Sequence, residues 1–141
     1  MYQRQFEQTW DSFATTDETN GYRIPFLLPS GYIWRIDKLL VQAQTNYAAQ
    51  DTNYETFTLY DSSGNGICAV ANGPATGGLA IGAHATGVTT TMTSAYQYID
   101  ARAADSYVYV KCAATGSGRA MVGIKIVLMA TPMRKGLANL A

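Results

Sequence analysis

The chain has 141 residues, the length of one domain, and 48% of them are hydrophobic, so a disordered chain is excluded. Only 14% are charged and the net charge is zero, which removes the electrostatic footprint of a nucleic-acid binder. Low charge also weakens colloidal repulsion and favours association.

The first segment, MYQRQFEQTWDSF, lacks the apolar core of a secretory signal. Tyr2, Phe6, Trp10 and Phe13 recur at spacings of four, four and three, so a short helix here aligns four aromatic rings on one stripe. So short a helix needs a surface to lie on. Its own domain and another protein chain stand as equal choices. ATTDETNG follows as a polar linker. In YIWRIDKLLVQA, Trp34 and Ile36 share one phase while Leu39, Val41 and Ala43 take the other, the mark of a β-bulge within a strand. YETFTLYD turns through SSGNG into ICAVA, a hairpin whose Gly64, Asn65 and Gly66 tolerate left-handed backbone.

Residues 72–87 are rich in Gly and Ala and aperiodic, so they read as a loop; VTTTMTS is compatible with a strand and YQYID is a short one. No charged residue stands between Asp61 and Asp100, but Gly, Thr, Ser and Asn interrupt that stretch too densely for a membrane span. SYVYVKCAA sets Val108, Val110 and Cys112 against Tyr107, Tyr109 and Lys111. RAMVGIKIVLMAT alternates over more than ten residues with an only partly polar second face, so both of its faces should be covered for part of its length. The TGSG between these two runs predicts a second hairpin, and Pro132 should stop the last strand. The expected fold is therefore all-β: an antiparallel β-sandwich, jelly-roll-like, over residues 22–131. An extended or short-helical N-terminal arm (1–21) precedes it, and a short tail (132–141) follows.

Catalytic chemistry finds no constellation. His84 is the single histidine and sits in a loop sequence without a carboxylate nearby. No nucleophile elbow, phosphate loop or metal-spaced histidine pair occurs. Asp61, Ser63, Asn65 and Gly66 match the first half of a calcium loop, but Asn72 replaces its closing carboxylate, so a turn is the better account. Cys68 and Cys112 read as reduced thiols, bridged only if their strands are neighbours. The expectation is a protein that is not an enzyme and needs no cofactor or metal. Ten tyrosines fit a sugar platform or a subunit interface. No acidic or amide cluster accompanies them to hold sugar hydroxyls, so the interface is preferred, with Tyr107 and Tyr109 on one face of it.

The order IDKLLVQAQ, FTLYDSSGNGI, a Gly/Thr-rich middle and YIDARAADSYVYVKCAATGSGRAMVGIKIVL resembles the small β-sandwich proteins of tailed-bacteriophage virions. The resemblance is particularly to capsid decoration (cement) proteins and related head-fibre domains, over residues 22–131. The resemblance implies a structural protein made in the host cytoplasm that sits on the outer surface of a phage head. It would bind the major capsid protein and its own copies, commonly as a homotrimer, and bind neither nucleic acid nor membrane. On that reading Tyr2, Phe6, Trp10 and Phe13 form a docking arm. A receptor- or glycan-binding virion module and a tail structural subunit are the alternatives.

Overall fold

A computed structural model describes residues 2–13, 21–43, 52–72, 92–117 and 121–134. Eight strands run in chain order: β1 (Arg4–Phe13), β2 (Ile24–Leu28), β3 (Tyr32–Ala43), β4 (Tyr54–Asp61), β5 (Gly66–Asn72), β6 (Tyr98–Ala101), β7 (Ser106–Thr115) and β8 (Met121–Arg134). They form two antiparallel four-stranded sheets, ordered β1-β8-β3-β6 and β2-β7-β4-β5. The sheets pack face to face as a β-sandwich, because each strand turns one apolar row inward. Those rows are Trp34, Ile36, Leu39 and Val41 on β3; Phe57 and Leu59 on β4; Val108, Val110 and Cys112 on β7; and Ile124, Ile126, Leu128 and Ala130 on β8.

The pairing is nested. β1 pairs with β8, β2 with β7, β3 with β6 and β4 with β5, while β3–β8 and β4–β7 contacts complete the sheets. Among the described residues, only the innermost pair is a local hairpin. The expected SSGNG turn is therefore present between β4 and β5, but the expected β7–β8 hairpin is not. β7 and β8 lie in different sheets, and the TGSG connection crosses between them. A glycine-rich turn supplies the sharp reversal for either route, and alternation fixes a strand without fixing its neighbour. The partners available in space decide. β7 is already flanked by β2 and β4, and β8 by β1 and β3.

β1 corrects the helical option for the N-terminal segment. It is a strand of the first sheet, with Phe6 opposite Leu128 and Trp10 opposite Ile124. A spacing of four is shared by helix and strand periodicity, so Phe6 and Trp10 occupy one face either way. Trp10 is buried in the core and Phe6 packs at its margin. The bulge expected in β3 is present: the ladder to β8 skips Asp37 between Ile36 and Lys38, which lets both Ile36 and Leu39 face inward. The stop expected at Pro132 is absent, since β8 continues to Arg134. Pro132 pairs with Trp34 beyond the last β1 partner, where one flank of β8 has no ladder to interrupt. Outward-facing Val127 is nearly fully buried, in line with the cover expected on both faces of β8.

Tyr98–Ala101 is the short strand read from YQYID. Of the loop expected over residues 72–87, Asn72 instead closes β5 in the ladder opposite Glu55; the rest, with His84, and the first residues of VTTTMTS lie outside the described residues. Met92 and Thr93 of VTTTMTS are not in a strand. Cys68 and Cys112 are free. They sit on β5 and β7, which flank β4, so two strand spacings of about 4.8 Å each separate them, beyond disulfide reach.

Gly116 and Ser117, the described glycine and serine of TGSG, are docked beside the start of β4. Ser117 donates from its backbone N–H (2.9 Å) and its hydroxyl (2.7 Å) to Asn53 Oδ1. Gly116 has φ +66°, and a Cβ there would collide with the Thr52 carbonyl and lie 2.7 Å from Asn53 Oδ1. Gly64 also has positive φ (+89°), but the nearest atom to a Cβ there is 3.8 Å away. Gly116→Ala should therefore cost about 2–3 kcal/mol and Gly64→Ala only about 1 kcal/mol, read as midpoint shifts in denaturant at constant slope. Equal shifts would contradict the docked turn.

The bulge residue Asp37 ties β3 to β8 and to the residue that leads into β1. Its carboxylate accepts from Thr131 Oγ1 (2.5 Å), Gln3 Nε2 (2.9 Å) and Arg35 Nε (2.7 Å). Burial pushes its acidity constant upward, but hydrogen bonds from Thr131, Gln3 and Arg35 outweigh that and hold it below the usual carboxylate range. A depressed folded value stabilises the fold above the unfolded value of about 4, and the gain is lost as pH falls through the folded value. Asp37→Asn should thus lower stability at neutral pH and flatten its decline as pH falls below the unfolded value of about 4. Urea unfolding at neutral and at acid pH reads the difference. Parallel acid limbs would contradict it.

Candidate functional site

Outward rows on the second sheet converge into one aromatic face. Because Val108 and Val110 point inward on β7, Tyr107 and Tyr109 point outward, as the sequence indicated. On β2, Leu27 stands opposite Tyr107 and Pro25 opposite Tyr109. On β4, Tyr60 stands opposite Tyr109. The Tyr60 and Tyr109 rings stack with centroids 5.5 Å apart and 22° between planes, and Tyr107 lies 6.3 Å from Tyr109. The Arg23 guanidinium sits 4.6 Å from the Tyr109 centroid, within cation–π range.

Tyr109 is only 6% exposed although it faces away from the core. Arg23, Tyr60 and Tyr107 surround it. Around this shielded ring Leu27 is 61% exposed and Tyr107 is 42% exposed. The face is therefore a braced aromatic ridge with an apolar rim, its side chains already ordered by one another.

Among the described residues, ion pairs form on the first sheet, though not at its Arg4 and Lys38. On the first sheet and its β6 end, the cations Arg35, Lys125 and Arg102 are held by Asp37, Glu7 and Asp100 at 2.7, 3.1 and 2.7 Å. On the second sheet, Arg23 and Lys111 are the charged groups of the outward rows, and among the described residues no carboxylate pairs with either. At the end of β4, Asp61 belongs to the turn. Its Oδ1 accepts the backbone N–H groups of Ser63 (3.0 Å) and Asn65 (2.8 Å), and its Oδ2 accepts Asn65 Nδ2 at 3.0 Å. Burial raises its acidity constant, but these hydrogen bonds outweigh that and lower it. The partial calcium motif is thus spent on shaping the hairpin. Among the described residues, no group of three or more His, Cys, Asp or Glu is placed to hold a metal ion.

The other residues expected to form an interface are dispersed. Tyr2 is 94% exposed at the chain start, while Phe6 and Trp10 turn into their own core. Phe13 is opposite Met121 in the ladder, and its side chain lies outside the described residues. Arg23, Pro25, Leu27 and Tyr60 join Tyr107 and Tyr109 without having been read as a site. Tyr60 was legible, since it takes the phase opposite Phe57 and Leu59. β2 was not, because Pro25 breaks a strand pattern and is tolerated only on an edge, which is where β2 lies.

Inside the sandwich, Glu55 is fully buried in the row of Phe57 and Leu59, with the Cys112 thiol donating to its Oε2 at 3.3 Å. The same alternation carries it inward, so this position was readable as well. Burial pushes the Cys68 thiol up to about 12, which leaves it without thiolate reactivity at neutral pH. No protein-family model, no curated protein and no solved structure matches this chain.

Proposed function

We propose that this chain is a structural virion protein, a decoration (cement) protein on the outer surface of a phage head. Its sandwich is wound as a jelly roll, and it binds without catalysing a reaction. Nested pairing supports the winding: a long antiparallel ribbon, folded at its β4–β5 hairpin and rolled up, gives sheets ordered β1-β8-β3-β6 and β2-β7-β4-β5. Capsid and lectin domains use that architecture, although architecture alone does not assign a role.

The observation that carries the reading is the aromatic ridge on the second sheet. Tyrosine and arginine over an apolar rim make up the composition of interface hot spots, and exposed apolar area of this kind marks contact surfaces. In this reading the contact runs through Leu27, Tyr107, Tyr109, Tyr60 and Arg23. Phe6 and Trp10 hold the domain together instead of reaching out, and Tyr2 stays as an exposed outlier. The major capsid protein and further copies of the chain, as a trimer, are the partners. Each bound copy lowers the free energy of the closed shell by mass action, and repeated modest contacts add through avidity.

Leu27→Glu with Tyr107→Glu tests this on surface positions that do not build the core. Added to heads assembled without the protein, the double variant should bind about thirtyfold more weakly or less, since hot-spot losses run to 2 kcal/mol or more. Its melting curve should match that of the unaltered chain. Unchanged occupancy by a folded variant would overturn the proposed contact face.

A further inference from the structure

The aromatic ridge ends in a hollow. Along the outward row of β7 the side chains shrink from Tyr107 and Tyr109 through Lys111 to Ala113, and across on β4 Tyr60 gives way to Thr58, which stands opposite Lys111. On β5, Ala69 stands opposite Thr58. The ladder between β4 and β5 is irregular at Leu59 and Tyr60, where the chain enters the hairpin. A depression of about 210 Å³ results, lined by Thr58, Tyr60, Lys111, Cys112 and Ala113. The Cys112 thiol points to the opposite face of the sheet, toward Glu55, so Cys112 contributes main chain to the hollow.

The chemistry of this hollow is specific. One wall is the Tyr60 ring, already fixed by stacking on Tyr109. Lys111 lines the hollow as well; no carboxylate pairs with it among the described residues, and the outward rows of this sheet face carry no Asp or Glu. Thr58 completes the lining, and its hydroxyl can both donate and accept. The volume falls below the range of about 300–1,000 Å³ typical of sites for drug-sized ligands, so one small ring fits and an extended ligand does not.

We infer that this hollow binds a single carboxylated sugar unit of the hexuronic-acid type. The apolar C–H face of the sugar ring packs on Tyr60, its carboxylate meets the Lys111 ammonium, and a ring hydroxyl bonds to Thr58. Neutral sugars lack the group that Lys111 selects, and small carboxylates lack the ring that Tyr60 holds. The site does not rest on the virion reading. It shares Tyr60 with the proposed contact face, but Lys111 and Thr58 lie beyond that face at the far end from Leu27, so each assignment is decided by its own variants.

Saturation-transfer NMR on the full chain tests it, because that measurement reads the free ligand and tolerates any oligomeric state of the protein. The probes are methyl β-glucuronide, methyl β-glucoside and acetate, each against the unaltered chain, Lys111→Met and Thr58→Val. Both substitutions lie on the solvent side of the sheet, and matched melting curves confirm the fold. Glucuronide should give saturable transfer with millimolar affinity. Lys111→Met should weaken it about tenfold or more, as expected for losing a charge-assisted hydrogen bond, and Thr58→Val should weaken it less. Glucoside and acetate should each bind about tenfold more weakly than glucuronide. Absent transfer from glucuronide, equal binding of either comparison ligand, or an unaltered response in Lys111→Met would each overturn the assignment.

Discussion

Nested antiparallel pairing constrains everything else in this molecule. With β1 on β8, β2 on β7, β3 on β6 and β4 on β5, the ends of the described chain meet in one sheet, and only the β4–β5 turn joins neighbours in sequence. Every other ladder closes a long loop, and closure entropy must be recovered from the apolar rows that the ladders bring together. The core shows how. Trp34 is fully buried at the β1 end of the sandwich, with its Nε1 donating to the Pro29 carbonyl at 2.9 Å. Phe6 from β1 meets its ring edge-on at 5.5 Å. The two sheets are also tied at their β1 and β2 edges, where Gln8 Nε2 donates to the Pro25 carbonyl at 3.1 Å.

From that winding the outer faces acquire different characters. The first sheet carries ion pairs, one of which, Arg35–Asp37, also locks the bulge that keeps β3 in register. The second sheet holds β7 between β2 and β4, which brings Arg23, Leu27 and Tyr60 from distant parts of the chain around Tyr109. A ring that strand alternation sends to solvent is thereby shielded, and its neighbours are ordered before any partner arrives. Binding through such a surface forfeits less side-chain entropy than binding through loose aromatics. That is the physical ground of the proposal that recognition lies on this sheet.

How far the sequence could be read follows from the range of each signal. Local signals were legible: the phase change around Asp37, the left-handed turn at Gly64, and the alternation that sends Tyr107 outward and Val108 inward. Signals that two structures share were not. Phe6 and Trp10, four apart, fit a helix and a strand equally, and TGSG fits a hairpin and a crossing equally. The answer in both cases came from which strand lay alongside, and that is a property of the whole chain. Glu55 and Tyr60 carried their facing in plain alternation with Phe57 and Leu59. The meeting of Arg23 with Tyr109 had no sequence signal, because it depends on β2 lying beside β7.

The placement of β7 is therefore the central claim, and cross-strand nuclear Overhauser contacts test it directly. The account expects backbone contacts from β7 to β2, at Ile24/Val110 and Phe26/Val108, and to β4, at Leu59/Val110 and Phe57/Cys112. Backbone contacts between β7 and β8, of the kind a hairpin closed by TGSG would produce, would contradict it.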